Sequence, residues 1–216
     1  MQCGVDGEPP LEYIGAGGAQ ASIELIPAIQ DLLARAGLRL ADLDAIAFGR
    51  GPGSFTGLRT ACSVAQGLAF GAGLPVLGVD TLLAVAEDAR HRRGVDHVIA
   101  VLDARMGEVY SAFYVHAAGA WQQQSEISLS RPEAIAVMDG WTLAGNAQSF
   151  FVHRVPQATC VEAMPTAAAL LRLAPALIAA GLAGPAAHAM PLYIRDKVAQ
   201  TTEERAGLRT PPPRVS

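Results

Sequence analysis

The 216-residue sequence has no run of lysines or arginines, and its net charge is −4. It therefore lacks the positive electrostatic footprint of a protein that binds nucleic acid alone. Its three cysteines are scattered, and no pair has the spacing of metal ligands. Because an odd number of cysteines argues against a disulfide framework, the reducing cytoplasm is the compartment that fits best.

Long apolar segments are also missing. The Ala-rich stretch 166–190 is interrupted by Arg172, Pro175 and His188 before the roughly 18 consecutive apolar residues of a membrane span accumulate. We therefore expect a buried helix ending near Gly181 and no membrane association. The opening residues, MQCGVDGEPP, show neither the basic nor the apolar region of a signal peptide.

The usual catalytic signatures are absent as well. The five histidines fall in neither the H-x-x-x-H nor the H-E-x-x-H spacing of zinc sites. Ser54 has no base close to it in sequence, although a base supplied by the fold stays open. We expect no catalytic residue, no metal and no cofactor. The histidines expected to be ordinary surface or hydrogen-bonded residues are His91, His97, His116, His153 and His188.

Hydrophobic residues make up 51% of the chain and charged residues 17%, which is typical of a globular protein. The first half alternates strands and helices, and β-α-β-α order implies parallel strands. The predicted elements are helices at 22–36, 54–71 and 81–91 and strands at 43–49 and 74–79. Pro27 should kink the first helix and Gly37 should end it.

The second half begins with two strands, 97–102 and 108–115, joined by a hairpin turn around Gly107. Further predicted elements are a pairing segment at 125–129, a short helix at 131–138, a strand at 141–144 and a longer helix at 165–180. We divide the chain into an N-terminal lobe at 1–95 that carries the helices at 22–36 and 54–71, a C-terminal lobe at 96–200 and a disordered tail at 201–216.

A glycine-rich turn, FGRGPGSFTGLR at 48–59, joins a predicted strand to a predicted helix. Such turns often hold phosphate, because backbone N–H groups and the helix dipole point at one spot. Here the lysine of the Walker A motif is missing. The glycines are spaced by two, so the dinucleotide fingerprint fails, although Asp80 imitates its ribose-binding acid. Ser54 also lacks the flanking glycines of a nucleophile elbow.

The turn is therefore expected to reverse the chain into the helix, with the Ser54 side chain accepting a hydrogen bond as its N-cap. The residues assigned to this motif are Gly49, Arg50, Gly51, Pro52, Gly53, Ser54, Phe55, Thr56 and Arg59.

The helix that follows shows two kinds of surface. Apolar residues with i, i+3, i+4, i+7 spacing from 58 to 69 predict a core face. Gly57, Ala61 and Ala65 are small enough for another helix to approach closely. An exposed Phe70 beside such residues suggests a partner surface rather than a catalytic site. The helix at 22–36 is apolar on more than one side, which is typical of helices buried on more than one side.

Three segments carry a resemblance to a known family. AIAFGRGPGSFTGLRTACSVAQGLAFGAGLPVLGVDTL (45–82) resembles the hallmark segment of the TsaB family, also called YeaZ. VLDARMGEVYSAFY (101–114) and PLYIRDKVAQTTEER (191–205) are similar to two further family segments. In the last one, Tyr193 is expected only to pack.

The resemblance implies an α/β, actin/Hsp70-like (ASKHA) fold of two RNase H-like lobes. It also implies a non-catalytic dimerisation subunit for making N6-threonylcarbamoyladenosine (t6A) in tRNA. The implied partners are a TsaD-like catalytic subunit and a TsaE-like ATPase, with tRNA reached only through the complex. In the family, the first two helices pack on the partner's equivalent helices. The interface residues assigned on this basis are Ile23, Ile26, Leu33, Gly57, Ala61, Ala65 and Phe70.

The opening of the chain departs from the family pattern. Family members begin with a strand of the type ILAIDTA and a hairpin strand containing CSVAL, whereas this sequence begins MQCGVDGEPP. We therefore expect the first lobe to lack its first strand, which in the family lies beside the strand matching 43–49. Loss of that strand would leave backbone hydrogen-bonding groups unpaired.

The family fold also bears on nucleotide binding. In this fold, two acidic, glycine-containing hairpins grip nucleotide phosphates, and the first is absent here. The second aligns with DARMGEVY, where Asp103 is followed by Ala104 and Arg105. We expect Asp103 and Glu108 to be hairpin acids bridged by Arg105, not phosphate ligands.

Two alternatives stay open from sequence. A glycoprotease-like peptidase or a nucleotide-binding enzyme could use the same fold, and a homodimer could form through the same helices when the partner is absent. If the small-residue face binds a partner, Ala61→Arg or Ala65→Arg should abolish binding with little effect on folding.

Overall fold

The computed structural model describes residues 2–3, 10–15, 21–151, 153 and 158–194. The predicted tail at 201–216 lies outside the described residues. Two short strands, β1 (Gln2–Cys3) and β2 (Leu11–Glu12), pair with each other in an antiparallel ribbon. Helix α1 (Ala21–Ala36) follows and continues through Pro27. Gly37 ends it with φ +67, as predicted, because this left-handed conformation favours glycine.

The first sheet contains β3 (Ile46–Gly51) and β4 (Val76–Asp80), which run parallel. Helix α2 (Phe55–Ala72) connects them, so the predicted β-α-β unit is confirmed. Val76 on the other edge of β4 forms an antiparallel bridge with Gly184. Among the described residues, β3 pairs with no strand other than β4.

The second sheet begins after helix α3 (Thr81–Arg93). Its strands are β5 (His97–Arg105), β6 (Glu108–Ala117), β7 (Ala120–Gln123), β8 (Ser128–Ser130), β9 (Thr142–Gly145) and β10 (Thr159–Glu162). The order is β10-β9-β5-β6-β7, with β8 also paired to β6. β5 and β6 form the predicted hairpin with Met106 and Gly107 at its turn, while β5, β9 and β10 are parallel.

The two sheets share a helical layer. On one face of the first sheet, Leu77 and Val79 pack with Ala84 of α3 and Leu173 of α4 (Ala167–Ala179). The opposite side of α3 packs on the second sheet through a cluster that includes Leu82, Val85, Ala86, Val98, Ala100 and Ala144. Helix α2 covers the outer face of the first sheet. This arrangement leaves α2 at the outside of the molecule and α3 at its centre.

The far face of the second sheet differs from the prediction. The short helix expected at 131–138 is only a 3-10 turn, Pro132–Ala134. Ile135 and Val137 pack on Ile99 and Val101 of the sheet. Alternate residues of an extended segment can point the same way, so this chain covers the sheet without forming a helix. Among the described residues, no helix has the length and apolarity needed to cross a membrane.

Candidate partner-binding surface and the adjoining cleft

The glycine turn is fixed by close backbone contacts. Gly51 has φ +125, and a Cβ there would lie 2.6 Å from the carbonyl oxygen of Leu192, so only glycine fits. The peptide bond from Gly51 to Pro52 is cis. Ser54 is the N-cap of α2, but its side chain makes no capping hydrogen bond. The expected hydroxyl cap is therefore wrong, and the Ser54 carbonyl instead accepts from the Leu58 N–H.

Arg50, in the middle of the motif, has a structural partner. Its Nε donates to Asp80 Oδ1 at 2.5 Å, across the two parallel strands. Gly78 leaves room for the arginine stem, since a Cβ there would lie 3.2 Å from Arg50 Cδ. Asp80 occupies the sequence position of the ribose-binding acid in dinucleotide sites, but here its carboxylate forms an ion pair with Arg50.

The inner face of α2 belongs to the core of this chain. Cys62, Ala65 and Ala69 are buried against Phe48 and Val76 of the first sheet. Ala65 is only 4% exposed. This corrects its assignment to the interface, because the helix turns Ala65 toward its own sheet and a partner could not reach it. An arginine at this position would be expected to disturb folding as well as binding.

The outer face of α2 is open. Phe70 is 83% exposed. Gly67 and Gly71 lie one turn before it and directly after it, and a Cβ at either would meet nothing within 4 Å. Gly57 is exposed near the start of the helix, and Ala61 is half-buried at the edge of a cleft. The outer side of α2 therefore exposes the apolar Phe70 ring, and at Gly67 and Gly71 the backbone of another protein could approach closely.

Helix α1 also presents apolar side chains to solvent. Ile23 is 70% exposed and Ile26 is 44% exposed, whereas Leu32 is buried and Leu33 half-buried. The helix is therefore apolar on two sides, and the described part of the chain covers only one of them. Of the α1 residues assigned to the interface, Ile23 and Ile26 are accessible and Leu33 is only partly so.

Residues 186–194, which we call the strap, run along α2. Gln66 Nε2 donates to the Ala186 carbonyl at 3.2 Å, and Cys62 Sγ donates to the Ala189 carbonyl at 3.1 Å. Burial raises the pKa of the Cys62 thiol. Farther along, Arg59 Nε donates to Tyr193 Oη at 3.0 Å.

The strap was not expected from the sequence. The side chains of α2 that donate hydrogen bonds to the strap, at positions 59, 62 and 66, follow helical spacing. Their acceptors lie more than 100 residues away in the sequence; Gln66 and Ala186, for example, are 120 residues apart. The strap also contacts the glycine turn, where the Leu192 N–H donates to the Arg50 carbonyl at 2.7 Å. Tyr193 therefore does more than pack, because its hydroxyl accepts from Arg59.

A cleft of about 580 Å³ lies where the carboxyl ends of the parallel strands of both sheets meet. Such crevices are the usual ligand sites of open α/β sheets. Its lining includes Ser54 of the turn, Leu58 of α2, Leu102 and Asp103 of β5, and Met164. The walls are mostly apolar in area, and six polar side chains also line them: Ser54, Thr81, Asp103, Arg105, Tyr110 and Asn146.

Asp103 is bound within its own hairpin. Its Oδ1 accepts from the Arg105 N–H at 2.7 Å, and its Oδ2 lies 3.5 Å from Arg105 Nη1. The Asp103 N–H donates to Asn146 Oδ1 at 2.9 Å. Arg105 and Met106 occupy the turn with φ +67 and +59, where a phosphate-gripping hairpin would use glycine. These residues are a poor fit to a nucleotide phosphate, because the acid and the backbone N–H groups beside it serve the turn.

Comparison with known proteins gives consistent results. A family model described as "TsaD: tRNA N6-adenosine threonylcarbamoyltransferase" matches residues 18–139. The tRNA threonylcarbamoyladenosine biosynthesis protein TsaB of Escherichia coli is 36% identical over 186 residues, covering 81% of this chain and 80% of that protein. The protein of the same name in Haemophilus influenzae is 52% identical over 86 residues, covering 40% of this chain and 36% of that protein.

Two solved structures are also similar. YeaZ from Pseudomonas aeruginosa superposes with a TM-score of 0.81 at 37% identity, covering 89% of this chain and 92% of that one. A second, described as an uncharacterized protein with similarity to peptidase YEAZ from Pseudomonas aeruginosa, has a TM-score of 0.77 at 38% identity. It covers 88% of this chain and 92% of that one.

Proposed function

Because the chain belongs to the TsaB (YeaZ) family of tRNA threonylcarbamoyladenosine biosynthesis proteins, we propose that it is the non-catalytic subunit that binds a TsaD-like catalytic subunit. The actin/Hsp70-like fold expected from the resemblance is confirmed by the family match and the structural neighbours. The proposal assigns binding to the outward faces of α1 and α2. We call the exposed residues Ile23, Ile26, Gly67, Phe70 and Gly71 the partner surface.

The observation that carries the proposal is Phe70. The phenylalanine ring is 83% exposed and leaves its apolar area in water. Apolar surface that is exposed beside other apolar groups is typical of a protein interaction site. The open glycines beside it support a helix-to-helix contact, since small residues let two backbones approach closely. Ile23 and Ile26 give α1 a similar exposed apolar edge.

The non-catalytic part of the proposal is supported by the chemistry of the cleft. Asp103 in the cleft is held by its own hairpin, and Cys62, in the core behind α2, is a buried thiol that donates to a backbone carbonyl. Among the described residues, Ser54 has no hydrogen bond to a basic side chain. In the proposed complex the catalytic residues come from the partner. A TsaE-like ATPase and tRNA join through the complex, in the cytoplasm.

The test is co-expression with the TsaD-like subunit of the same organism, followed by light scattering and titration calorimetry. We expect a stable complex with the wild-type chain. Phe70→Asp should weaken it by at least about tenfold, because a charge would be buried in an apolar contact. Met138→Asp is the matched control, since Met138 is an exposed apolar residue of the second lobe.

The outcomes separate the parts of the proposal. No complex from a well-folded wild-type chain would refute partner binding itself. If Phe70→Asp does not weaken the complex, partner binding stands, but the binding surface lies elsewhere on the chain. A wild-type chain that forms only homodimers on these faces would favour self-association.

A peptidase is the second candidate, because one structural neighbour is described by similarity to a peptidase. The cleft is its candidate active site, where the hydroxyls of Ser54 and Thr81 and the carboxylate of Asp103 are among the groups with the chemistry for hydrolysis. The check is cleavage of casein or glycopeptides by the isolated chain. Activity abolished by Ser54→Ala would establish the peptidase and overturn the non-catalytic role.

A further inference from the structure

The single charge on α2 stands out against its surroundings. Of the 18 residues from Phe55 to Ala72, only Arg59 is charged. It lies one turn into the helix, on an exposed part of the surface. The distance along the helix from Phe55 to Phe70 is about 22 Å at 1.5 Å per residue. That span fits within an ordinary protein interface, whose patch of about 800 Å² per partner is roughly 30 Å across.

Arg59 is held between two aromatic rings. Its Cζ lies 3.8 Å from the centre of the Phe55 ring and 6.0 Å from that of Tyr193. Its Nε donates to Tyr193 Oη at 3.0 Å, and the two rings are 5.4 Å apart. Phe55 remains 41% exposed and Tyr193 45% exposed. The rings fix the guanidinium in place before any partner arrives, which lowers the entropy lost on binding.

The positive charge of Arg59 is not neutralised within the described part of the chain. No carboxylate there forms an ion pair with it, in contrast to Arg35, Arg50, Arg92 and Arg172, which each have one. Within the described ranges, the Nε hydrogen is the only one that makes a hydrogen bond, so the outer edge of the guanidinium is available. Arginine, tyrosine and other aromatic residues packed together are the usual composition of binding hot spots.

We propose that Arg59, clamped by Phe55 and Tyr193, is the charged anchor of the partner surface and pairs with a carboxylate of the catalytic subunit. This inference rests on the proposed function and adds the chemistry of the partner: an aspartate or glutamate set among apolar residues. Guanidinium and carboxylate match in a planar, two-bond geometry, and the flanking rings exclude water from the pair.

A nucleic-acid phosphate could also meet an arginine, but the observations favour a protein carboxylate. RNA affinity depends on several cations acting together. Arg59 has no second cation on its helix, and the whole chain carries a net charge of −4. A single cation among exposed apolar and aromatic groups is instead typical of a protein interface.

The test measures affinity for the TsaD-like subunit by calorimetry with the full-length chain. Arg59→Glu should weaken binding on the order of 30-fold or more, as expected when one member of a desolvated charge pair is lost or reversed. Arg59→Met keeps the apolar stem and should lose less. Arg93→Glu is the matched control, because Arg93 is exposed at the end of α3 and has no ion pair among the described residues.

The carboxylate is then identified by changing the partner's acidic residues one at a time to arginine. We expect one of these changes to restore binding to Arg59→Glu while weakening the wild-type pair. Thermal melts of each variant show whether it folds. If Arg59→Glu does not fold, the same scan of the partner's acids is made against Arg59→Met. Changing the matching acid should then weaken binding to the wild-type chain but should not weaken binding to Arg59→Met.

The possible results distinguish the inference from the proposed function. Full affinity of Arg59→Glu would overturn the anchor while leaving the partner surface intact. Weakened binding that no acid change restores would show that Arg59 acts by aromatic packing, which also overturns the carboxylate. Unchanged subunit affinity with reduced tRNA affinity of the complex would identify a phosphate instead. Absence of any wild-type complex would refute the proposed function, not this pair alone.

Discussion

Helices α2 and α3 each follow a parallel strand of the same β-α-β-α unit, but they end up in opposite surroundings. In α3 almost every residue from Thr81 to Ala89 is buried, including two acids, whereas α2 buries only Cys62, Ala65 and Ala69. Helix α3 has a sheet on either side and α4 beside it. Helix α2 has a sheet on one side only. A helix in the central layer is completed by its own chain, and an outer helix is free to bind another.

The charges on the two helices follow the same division. Glu87 of α3 accepts from Trp121 Nε1 at 2.9 Å and from Arg172 Nε at 2.8 Å. Asp88 accepts from Arg92 Nε at 2.8 Å and from the Met164 N–H at 3.1 Å. Buried acids persist when they are paired and hydrogen-bonded in this way. Arg59 on α2 has no such acid in the described part of the chain.

The largest effect should come from breaking the α3 network. Asp88→Ala removes the acceptor for Arg92 and the Met164 N–H, and leaves the half-buried Arg172 guanidinium with fewer partners. We expect a loss of about 3 kcal/mol in the free energy of unfolding, measured by urea denaturation, because buried donors lose their acceptor. Asp31→Ala, which breaks an exposed ion pair on α1, is the control and should cost about 0.3–0.5 kcal/mol. Equal costs would mean that burial does not distinguish the two pairs.

The next effect tests the buried face of α2. Ala65→Leu adds volume between the helix and its sheet, where Phe48 and Val76 leave little room. We expect a loss of about 1–3 kcal/mol in unfolding free energy by thermal and urea denaturation. A variant as stable as the wild type would show that this side of α2 is loosely packed and would reopen Ala65 as an interface residue.

On the outer face of α2 we expect a substitution that increases, rather than lowers, the free energy of unfolding. Gly67→Ala removes backbone freedom from the unfolded chain, and the new methyl group meets nothing within 4 Å. The free chain should become more stable by about 0.5–1 kcal/mol. If a partner helix approaches closely there, the same change should weaken the complex. Stabilisation without weakened binding would place the partner contact away from Gly67.

The smallest effect concerns the hydroxyl of Tyr114, which is buried in the cluster between α3 and the second sheet. It has no hydrogen-bond partner among the residues that the structure describes. Burial, and after it the negative charge of Asp80, raises the pKa of this tyrosine. Tyr114→Phe removes an unsatisfied polar atom and keeps the ring. The unfolding free energy should change by less than about 0.5 kcal/mol or rise slightly. A loss of more than 1 kcal/mol would reveal a hydrogen bond that forms in solution.

Much of the local structure followed from the sequence, because it depends on neighbouring residues. Gly37 ends α1, Gly107 lies in the β5–β6 turn, and the glycine turn reverses the chain into α2. Two predictions were wrong: the hydroxyl cap at Ser54 and the helix at 131–138. The structure gives no reason for the missing cap, whereas the segment at 131–138 is extended where Ile135 packs on the far face of the second sheet.

The sequence by itself determined the alternating strands and helices of the first half, the family and the apolar character of α1 and α2, because periodicity and turn residues act over a few positions. Only the tertiary structure decided which side of α2 is occupied, that Glu87 and Asp88 are buried, and that Tyr193 holds Arg59. Helical periodicity shows that a helix has an apolar face. Whether this chain's own sheet or another protein covers that face depends on how the layers stack, and that is set by contacts between residues far apart in the sequence.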